Sequence, residues 1–198
     1  MKTQILVPLI VAAAIPVFMT GCATDAHYVE TGGRENVVSI NQINIQDYIQ
    51  AANAATQDLL SSGVLDKVDK PPAVLAMSRI VNNTGQQIDT DLLTKKIRVA
   101  LLQSGKAVTT TTMGLGGTSE DPMAKGMQQE NEFMNDQKPA RLPDFSLSGK
   151  IIETVARNGN TRQATFSFQL SLTDKNGLAV WEGEKEITKQ GTRSSVGF

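Results

Sequence analysis

The sequence predicts an α/β (α+β) domain in which helices pack on a small mixed sheet that ends in a three-stranded antiparallel meander. Three strand-like runs near the C-terminus, 145–155, 161–173 and 178–188, are joined by Asn-Gly turns. Two earlier segments space their apolar residues as amphipathic helices do, and a strand-like run follows each of them. Strands that alternate with helices favour parallel pairing, so the complete sheet should be mixed.

The chain opens with a short secretion leader. Lys2 supplies its positive charge, and the apolar run that follows, from Ile5 to Phe18, is too short for a stable membrane span. The only cysteine of the chain closes this leader. The closing residues are Met19, Thr20, Gly21 and Cys22. They resemble the lipobox of bacterial lipoproteins, with Met19 where leucine is usual.

The lipobox resemblance implies that the signal peptide, residues 1–21, is removed and that Cys22 carries a diacylglyceryl thioether and an acylated amino terminus. A thiolate is the side-chain nucleophile that forms such a thioether. Three acyl chains, at roughly 0.8 kcal/mol per buried methylene, would anchor the protein permanently. Because Ala23 rather than Asp follows the cysteine, the resemblance implies the outer membrane, facing the periplasm. The alternative is an ordinary secretion signal followed by a free thiol.

A flexible tether is predicted over residues 22–43, which are polar, contain glycine and show no sustained hydrophobic period. About twenty such residues reach at most roughly 70 Å when fully extended. A single globular domain is predicted over 44–190, followed by a tail over 191–198. The folded domain should therefore stay close to its bilayer.

The first helix and strand follow from a change of hydrophobic period. Apolar residues between Ile45 and Leu60 recur at helical spacing, and Gly63 is a plausible end of the helix. After two prolines, the nearly continuous apolar run 73–81 predicts a central strand that is covered on both faces.

The second helix begins near Asp89 or Thr90, either of which can cap it, and ends at Gly105. The Thr- and Val-rich run 106–112 then predicts a second strand. The glycine-rich loop that follows lacks both the P-loop lysine and dinucleotide-binding spacing. A flexible connection is therefore favoured over a nucleotide site.

A third helix is predicted from Ser119–Asp121 to about Asn135, with Pro122 in its first turn. Three methionines recur along it and predict the side that faces the core, which is favoured over a binding groove. These residues are Met123, Met127 and Met134.

The middle strand of the predicted meander alternates strictly between apolar and polar residues. Phe166, Phe168, Leu170 and Leu172 are separated by serine, glutamine and threonine. One face of the meander should therefore be buried beneath the helices, while the other is wet or lightly covered.

Composition argues against several classes of ligand. Without the leader, the chain carries 18 basic and 20 acidic residues, a net charge of −2, and only 5% of all residues are aromatic. This balance attracts neither nucleic acid nor an anionic membrane surface. Without a second cysteine, neither a disulfide nor a thiolate metal site is expected. The sequence predicts no cofactor and no small-molecule substrate.

Candidate catalytic residues are few. His27, the only histidine, lies in the tether, where nothing would hold a dyad or a metal ion in place. The pair Asp89 and Asp91 and the pair Glu120 and Asp121 stand at predicted helix starts, where capping explains them. The sequence therefore predicts a protein that is not an enzyme.

Three glutamates alternate along the last predicted strand and so share one face of it. They are Glu182, Glu184 and Glu186. Acids at this spacing usually form a solvated or edge-protecting surface, and a binding patch is the alternative.

Several ordered motifs resemble the LpoB family of penicillin-binding-protein activators. The motifs are Asp47-Tyr48, Pro72 to Met77, Val81 to Thr84, Ile88 to Leu93, Ile97 to Lys106, Asp144 to Lys150, the Asn158 hairpin, Ala179 to Trp181 and Glu184 to Ile187. Each motif alone is explained by caps, turns and core positions. Their order behind a lipobox is what makes the resemblance specific.

The resemblance implies a fold like the N-terminal domain of TolB and no enzymatic activity. It implies a lipoprotein of the outer membrane that binds and activates a class A penicillin-binding protein in peptidoglycan synthesis. The partner-binding surface is placed on the outward face of the third helix and its exit, at Gln129, Glu132 and Arg141.

One departure from the family concerns reach. Well-known activators of this kind have a long proline-rich tether, whereas the tether here is about twenty residues long and contains no proline. The alternative is a non-catalytic outer-membrane assembly or secretion-accessory lipoprotein with the same fold. A small-ligand binding domain is a third possibility.

Overall fold

The computed structural model describes residues 26–114, 122–133 and 141–192. The lipobox residues Met19, Thr20, Gly21 and Cys22, together with Glu120, Asp121, Met134 and the end of the tail, lie outside these ranges. The helices are α1 (Ile45–Ser61), α2 (Asp91–Gln103) and α3 (Pro122–Phe133), and a short 3-10 turn covers Val64–Lys67. The strands are β1 (Ala73–Asn83), β2 (Ala107–Gly114), β3 (Phe145–Asn158), β4 (Thr161–Asp174) and β5 (Ala179–Thr192).

The five strands form one mixed sheet in the order β2-β1-β3-β4-β5. Strand β1 pairs in parallel with both β2 and β3, whereas β3, β4 and β5 form an antiparallel meander. The predicted α/β (α+β) class is thereby confirmed. Both meander turns contain a glycine at positive φ, Gly159 at 56° and Gly177 at 80°, a conformation that side chains disfavour.

The core lies between one face of the sheet and the helices α1 and α2. The apolar residues of β4 predicted to alternate inward are buried, and Phe166 and Leu172 have no exposed surface. Tyr48 of α1 meets Phe168 edge-on, with 6.2 Å between the ring centroids. The meander and the two helices therefore bury a common apolar layer.

Local capping fixes where α1 begins and ends. The backbone N–H of Asn44 donates to Asp47 Oδ2 at 2.7 Å, as in a capping box. After the last turn, Gly63 takes a left-handed φ of 68°. Both ends agree with the predicted helix.

Strand β1 is only partly covered. It lies between β2 and β3, so it is internal, but β3 occupies the middle of the sheet. Leu75 and Met77 are buried, whereas Val81 is 53% exposed. The apolar run predicted cover on both faces along the whole strand, and the structure provides it only for the first half.

The N-terminal segment contacts the domain before the predicted boundary at residue 44. The backbone N–H of Ile43 donates to Gln86 Oε1 at 3.0 Å, and the carbonyl of Ser39 accepts from Lys189. Ile40 packs over Gly191, where an added Cβ would overlap its side chain. Farther back, Gly32 lies beside Ile49 of α1, since an added Cβ there would be 3.5 Å from Ile49 Cδ1. Contacts with the domain therefore begin at about Gly32.

Helix α3 differs most from the prediction. Met123 is 78% exposed and Met127 is 44% exposed, whereas Ala124 is buried. The methionine side predicted to face the core is thus wrong for these two residues. The cause is tertiary, because α3 packs chiefly against the edge strand β2, and the small alanine allows a close approach there. Within the described ranges, none of the helices has the length and apolar character that crossing a membrane requires.

Candidate partner-binding surface

The face of the sheet opposite α1 and α2 carries an ordered polar surface over the meander. We define the open face by its outward residues Arg79, Val81, Lys150, Gln169, Ser171, Glu182, Glu184 and Glu186. The strand registers bring these side chains together, because Lys150 pairs with Gln169 and Gln169 pairs with Glu184. Residues paired in this way point to the same side of a sheet.

A ladder of side-chain hydrogen bonds joins β4 to β5 on the open face. Ser167 donates to Glu186 at 3.2 Å, Gln169 to Glu184 at 2.7 Å and Ser171 to Glu182 at 3.3 Å. Farther along, the hydroxyls of Thr165 and Thr188 are 2.9 Å apart. Each glutamate is therefore held in a defined position while it stays exposed.

Two cations lie on the same face of the sheet as the glutamate row, across β4 from it. Arg79 and Lys150 are exposed, and neither has a hydrogen bond or an ion pair with the described parts of the chain. A depression of about 640 Å³ lies between these cations and the ladder, with Glu182 and Glu184 on its far wall. The open face thus presents a positive zone and a negative zone side by side.

A break in the register of β1 helps to place Arg79 there. The pairing with β3 shifts between Met77 and Ile80, opposite Gly149. A Cβ at Gly149 would lie 2.5 Å from the carbonyl oxygen of Gln169, so only glycine allows this approach of the strands. The alternation of the glutamates was predictable from the sequence, but the position of the cations was not, because no local signal marks a bulge in an apolar run.

The arrangement suits recognition of a protein surface. Unpaired charges of both signs, held on a rigid sheet, select partners with the complementary pattern and guide their approach. No cluster of three or more potential metal ligands occurs among the residues that the structure describes.

The sequence-predicted partner residues do not form one continuous surface in the described structure. Gln129 is exposed on α3, and nothing is described of the side chain of Glu132. Arg141 is occupied within the domain: it donates to the carbonyls of Lys70 and Pro72 and pairs with Asp144 at 3.1 Å. Arg141 therefore fastens the start of β3 to the segment before β1.

The remaining candidate catalytic and attachment residues are not among those that form the open face. His27 is exposed in the N-terminal segment. Asp89 accepts from the backbone N–H of Asp91 at 2.8 Å, which is a capping contact at the start of α2. Cys22, the predicted lipid attachment site, lies outside the described residues.

A family model and several solved structures are similar to this chain. The family model of the peptidoglycan-synthase activator LpoB matches residues 47–187. The solved LpoB C-terminal domains from Salmonella enterica and Escherichia coli each share 16% identity with this chain at a TM-score of 0.44, covering 71% of it and 98% of their own length. Lipoprotein GNA1162 from Neisseria meningitidis shares 16% identity at a TM-score of 0.40, covering 62% of this chain and 88% of that one. No curated protein sequence matches the chain.

Proposed function

Because this chain belongs to the LpoB family of peptidoglycan-synthase activators, we propose that it binds and activates a class A penicillin-binding protein and that the open face is its docking surface. The observation that carries this proposal is that two cations without a partner among the described residues, Arg79 and Lys150, lie around one depression with glutamates held in fixed positions. A periplasmic domain of the synthase would carry the complementary charges.

Activation requires more than binding. A ligand shifts an enzyme toward its active conformation only by the difference between its affinities for the active and inactive forms. The glutamates of the open face are held by the ladder before the partner arrives, so little side-chain entropy is lost on docking. A preorganised surface of this kind can discriminate between two conformations of a synthase.

The anchoring is part of the same proposal. Cys22 would carry the lipid, and the domain would project from the outer membrane into the periplasm. Three acyl chains make such attachment effectively permanent. Replacing Cys22 with serine should move the chain from the membrane fraction to the soluble fraction, and a variant that stays with the membrane would contradict this attachment.

Charge reversal on the open face tests the docking surface. We expect Lys150→Glu and Glu184→Lys each to weaken binding to the synthase by about tenfold, equivalent to about 1.4 kcal/mol. The assay is surface plasmon resonance with the lipid-free chain, together with stimulation of glycan polymerisation in detergent.

Lys95→Glu is the matched control, since Lys95 is exposed on α2 and its reversal changes the net charge as much as Lys150→Glu does. Equal affinities for all variants would reject the open face as the docking surface while leaving activation intact. Failure of the unaltered chain to bind any class A synthase would reject the proposed function itself.

A second candidate function has one observation in its favour. Contacts with the domain begin at Gly32, which leaves only about nine residues between Cys22 and the folded unit. So short a connection favours a complex assembled against the outer membrane. The assembly or secretion-accessory role therefore remains the alternative, and the length of the tether distinguishes the two roles.

A further inference from the structure

A second charged feature lies at the end of the sheet where the N-terminal segment joins the domain. Arg157 of β3 pairs directly with Arg162 of β4, and Arg162 pairs with Gly191 of β5. The three residues therefore form one row on the helix-facing side, beyond the start of α1. Because Gly191 has no side chain, the side chain of Ile40 fills that end of the row.

The row borders a cleft of about 470 Å³. Ile40 covers Gly191 and forms one wall, with Asn41 beside it. The two arginines form the opposite wall, and the β3–β4 turn closes the end of the cleft. The walls thus combine two guanidinium groups with polar side chains of the turn and the N-terminal segment.

Positive charge in the cleft is incompletely balanced. Arg162 approaches Glu153 at 3.9 Å, but the other oxygen of that carboxylate already accepts from the backbone of Gly85 at 3.1 Å. Arg157 is exposed and has neither a hydrogen bond nor an ion pair to any described residue. The Nε of Arg162 is buried and has no hydrogen-bond partner within the described ranges.

These features are typical of a site that binds an anion. Like charges directly opposite each other on neighbouring strands destabilise a sheet, and a bound anion would relieve that repulsion. Guanidinium groups present forked donors whose geometry matches phosphate oxygens. An unpaired buried N–H gains the most from such a ligand because its desolvation is otherwise uncompensated.

The direction of the tether indicates where the phosphate would come from. Lys189 holds the carbonyls of Ser39 and Gln42, at 3.2 and 2.8 Å, so the N-terminal segment passes beside the cleft, and it then continues to Gly32 beside Ile49 of α1. The roughly nine residues between Gly32 and Cys22 have a root-mean-square span of roughly 15–20 Å as a coil. The end of the domain that carries the start of α1 and the two arginines is therefore held close to the bilayer.

We propose that the Arg157–Arg162 cleft binds the phosphate of an anionic phospholipid headgroup in the membrane that holds the tether. This inference rests on the proposed lipid attachment at Cys22 for its geometry. Binding would hold the domain upright and leave the open face directed sideways, accessible to a partner. The net charge of the chain without its leader, −2, conceals this local excess of positive charge.

Vesicle binding tests the proposal without the lipid anchor. The mature chain with Cys22→Ser is mixed with phosphatidylcholine vesicles that contain or lack phosphatidylglycerol, and the bound fraction is measured by cosedimentation. We expect binding only with phosphatidylglycerol, and a loss of about tenfold in the partition coefficient for Arg157→Gln. Since Arg157 is exposed and unpaired, this variant should fold normally.

Lys150→Gln is the control, because it removes one exposed positive charge from the open face. An equal loss of vesicle binding in both variants, or binding that ignores phosphatidylglycerol, would overturn the proposal. Nuclear magnetic resonance with inorganic phosphate provides the second arm, in which the amide signals of residues 157–162 should shift. Phosphate-induced shifts without vesicle binding would assign the cleft to a soluble phosphate and overturn the membrane assignment.

Synthase stimulation in detergent separates this inference from the proposed function. The expected result for Arg157→Gln is unchanged stimulation, since the cleft lies apart from the open face. A loss of stimulation alongside retained vesicle binding would contradict a membrane role for the cleft.

Discussion

A single buried lysine joins the two ends of the folded unit. Lys189 is 8% exposed. It pairs with Asp47 and donates to Asn44 Oδ1 at 2.6 Å, while its ammonium lies 5.4 Å from the ring centroid of Phe166. Its ammonium also donates to the carbonyls of Ser39 and Gln42. This one side chain of β5 therefore holds both the start of α1 and the N-terminal segment against the sheet.

Removing this ammonium should strongly destabilise the folded domain. We expect Lys189→Met to lower the free energy of unfolding by about 3–5 kcal/mol, because the carboxylate of Asp47 is then buried without its counter-ion. Urea unfolding followed by the fluorescence of Trp181, the only tryptophan, measures the change. Lys185→Met on the same strand, where the ammonium has no described partner, should cost less than about 0.5 kcal/mol. Equal decreases in the free energy of unfolding of the two variants would show that the buried contacts of Lys189 do not stabilise the fold.

The phenol of Tyr48 reports on the same region. Its pKa is raised above the ordinary value of 10.0, first by burial and then by the nearby carboxylates of Asp89 and Asp47. The fold thus favours the protonated phenol, so its contribution to stability is full below pH 10 and is lost as the pH rises through the folded-state pKa. In a Tyr28→Phe chain, near-ultraviolet absorbance should record ionisation of Tyr48 above pH 10. Ionisation at or below pH 10 would contradict the burial of Tyr48 against the sheet.

At the scale of elements, local sequence signals predict where helices and strands lie, but they do not predict which elements pack against each other. Helix α1 was predictable because both its ends are fixed by nearby residues, Asn44 with Asp47 at the start and Gly63 at the end. The meander was predictable because its turns and its alternation lie within one continuous stretch. These features depend on contacts over a few residues or on a strict period of two.

The exposed side of α3 and the bulge in β1 depend on contacts far apart in the sequence. A methionine stripe shows that a helix has an apolar side, but not whether another layer will cover it. Because α3 packs at the edge strand β2, Ala124 is buried, whereas Met123 remains exposed. Likewise, Arg157 and Arg162 become a pair only through the register of a hairpin. For these reasons the cations of both surfaces were not predicted.

The close approach of β3 and β4 gives an element-scale prediction. Gly149→Ala should lower the free energy of unfolding by about 1–3 kcal/mol, since its Cβ would meet the carbonyl oxygen of Gln169 at 2.5 Å and that backbone cannot move without disturbing the ladder. Urea unfolding with the Trp181 signal measures this.

Gly126→Ala provides the matched control in a helix. A Cβ at Gly126 meets nothing within 4 Å, so the same substitution in α3 should stabilise by up to about 1 kcal/mol. Opposite signs for the two variants are expected, and stabilisation by Gly149→Ala would mean that the strands at this point are not so closely spaced.

At the scale of the whole molecule, charge is separated while its total is nearly balanced. The glutamate row and its facing cations occupy the open face, and the paired arginines occupy the end beside the tether. A net charge near zero therefore conceals two surfaces of different character. This separation would allow one end to meet a membrane while the open face meets a protein, and neither contact need displace the other.

The reach of the tether decides between the two proposed roles. Since contacts with the domain begin at Gly32, about nine residues connect it to Cys22 and span at most roughly 35 Å. A flexible Gly-Ser linker of about 20 residues inserted after Thr31 would increase that reach about threefold without touching the contacts of Lys189. If the partner is an inner-membrane synthase, the insertion should increase glycan polymerisation in cells. Stimulation of the purified synthase in detergent, where distance to a membrane has no effect, should stay unchanged and serves as the control. Unchanged or impaired function in cells would instead favour a complex built against the outer membrane, because such a complex needs the domain close to the bilayer and loses effective concentration as the connection lengthens.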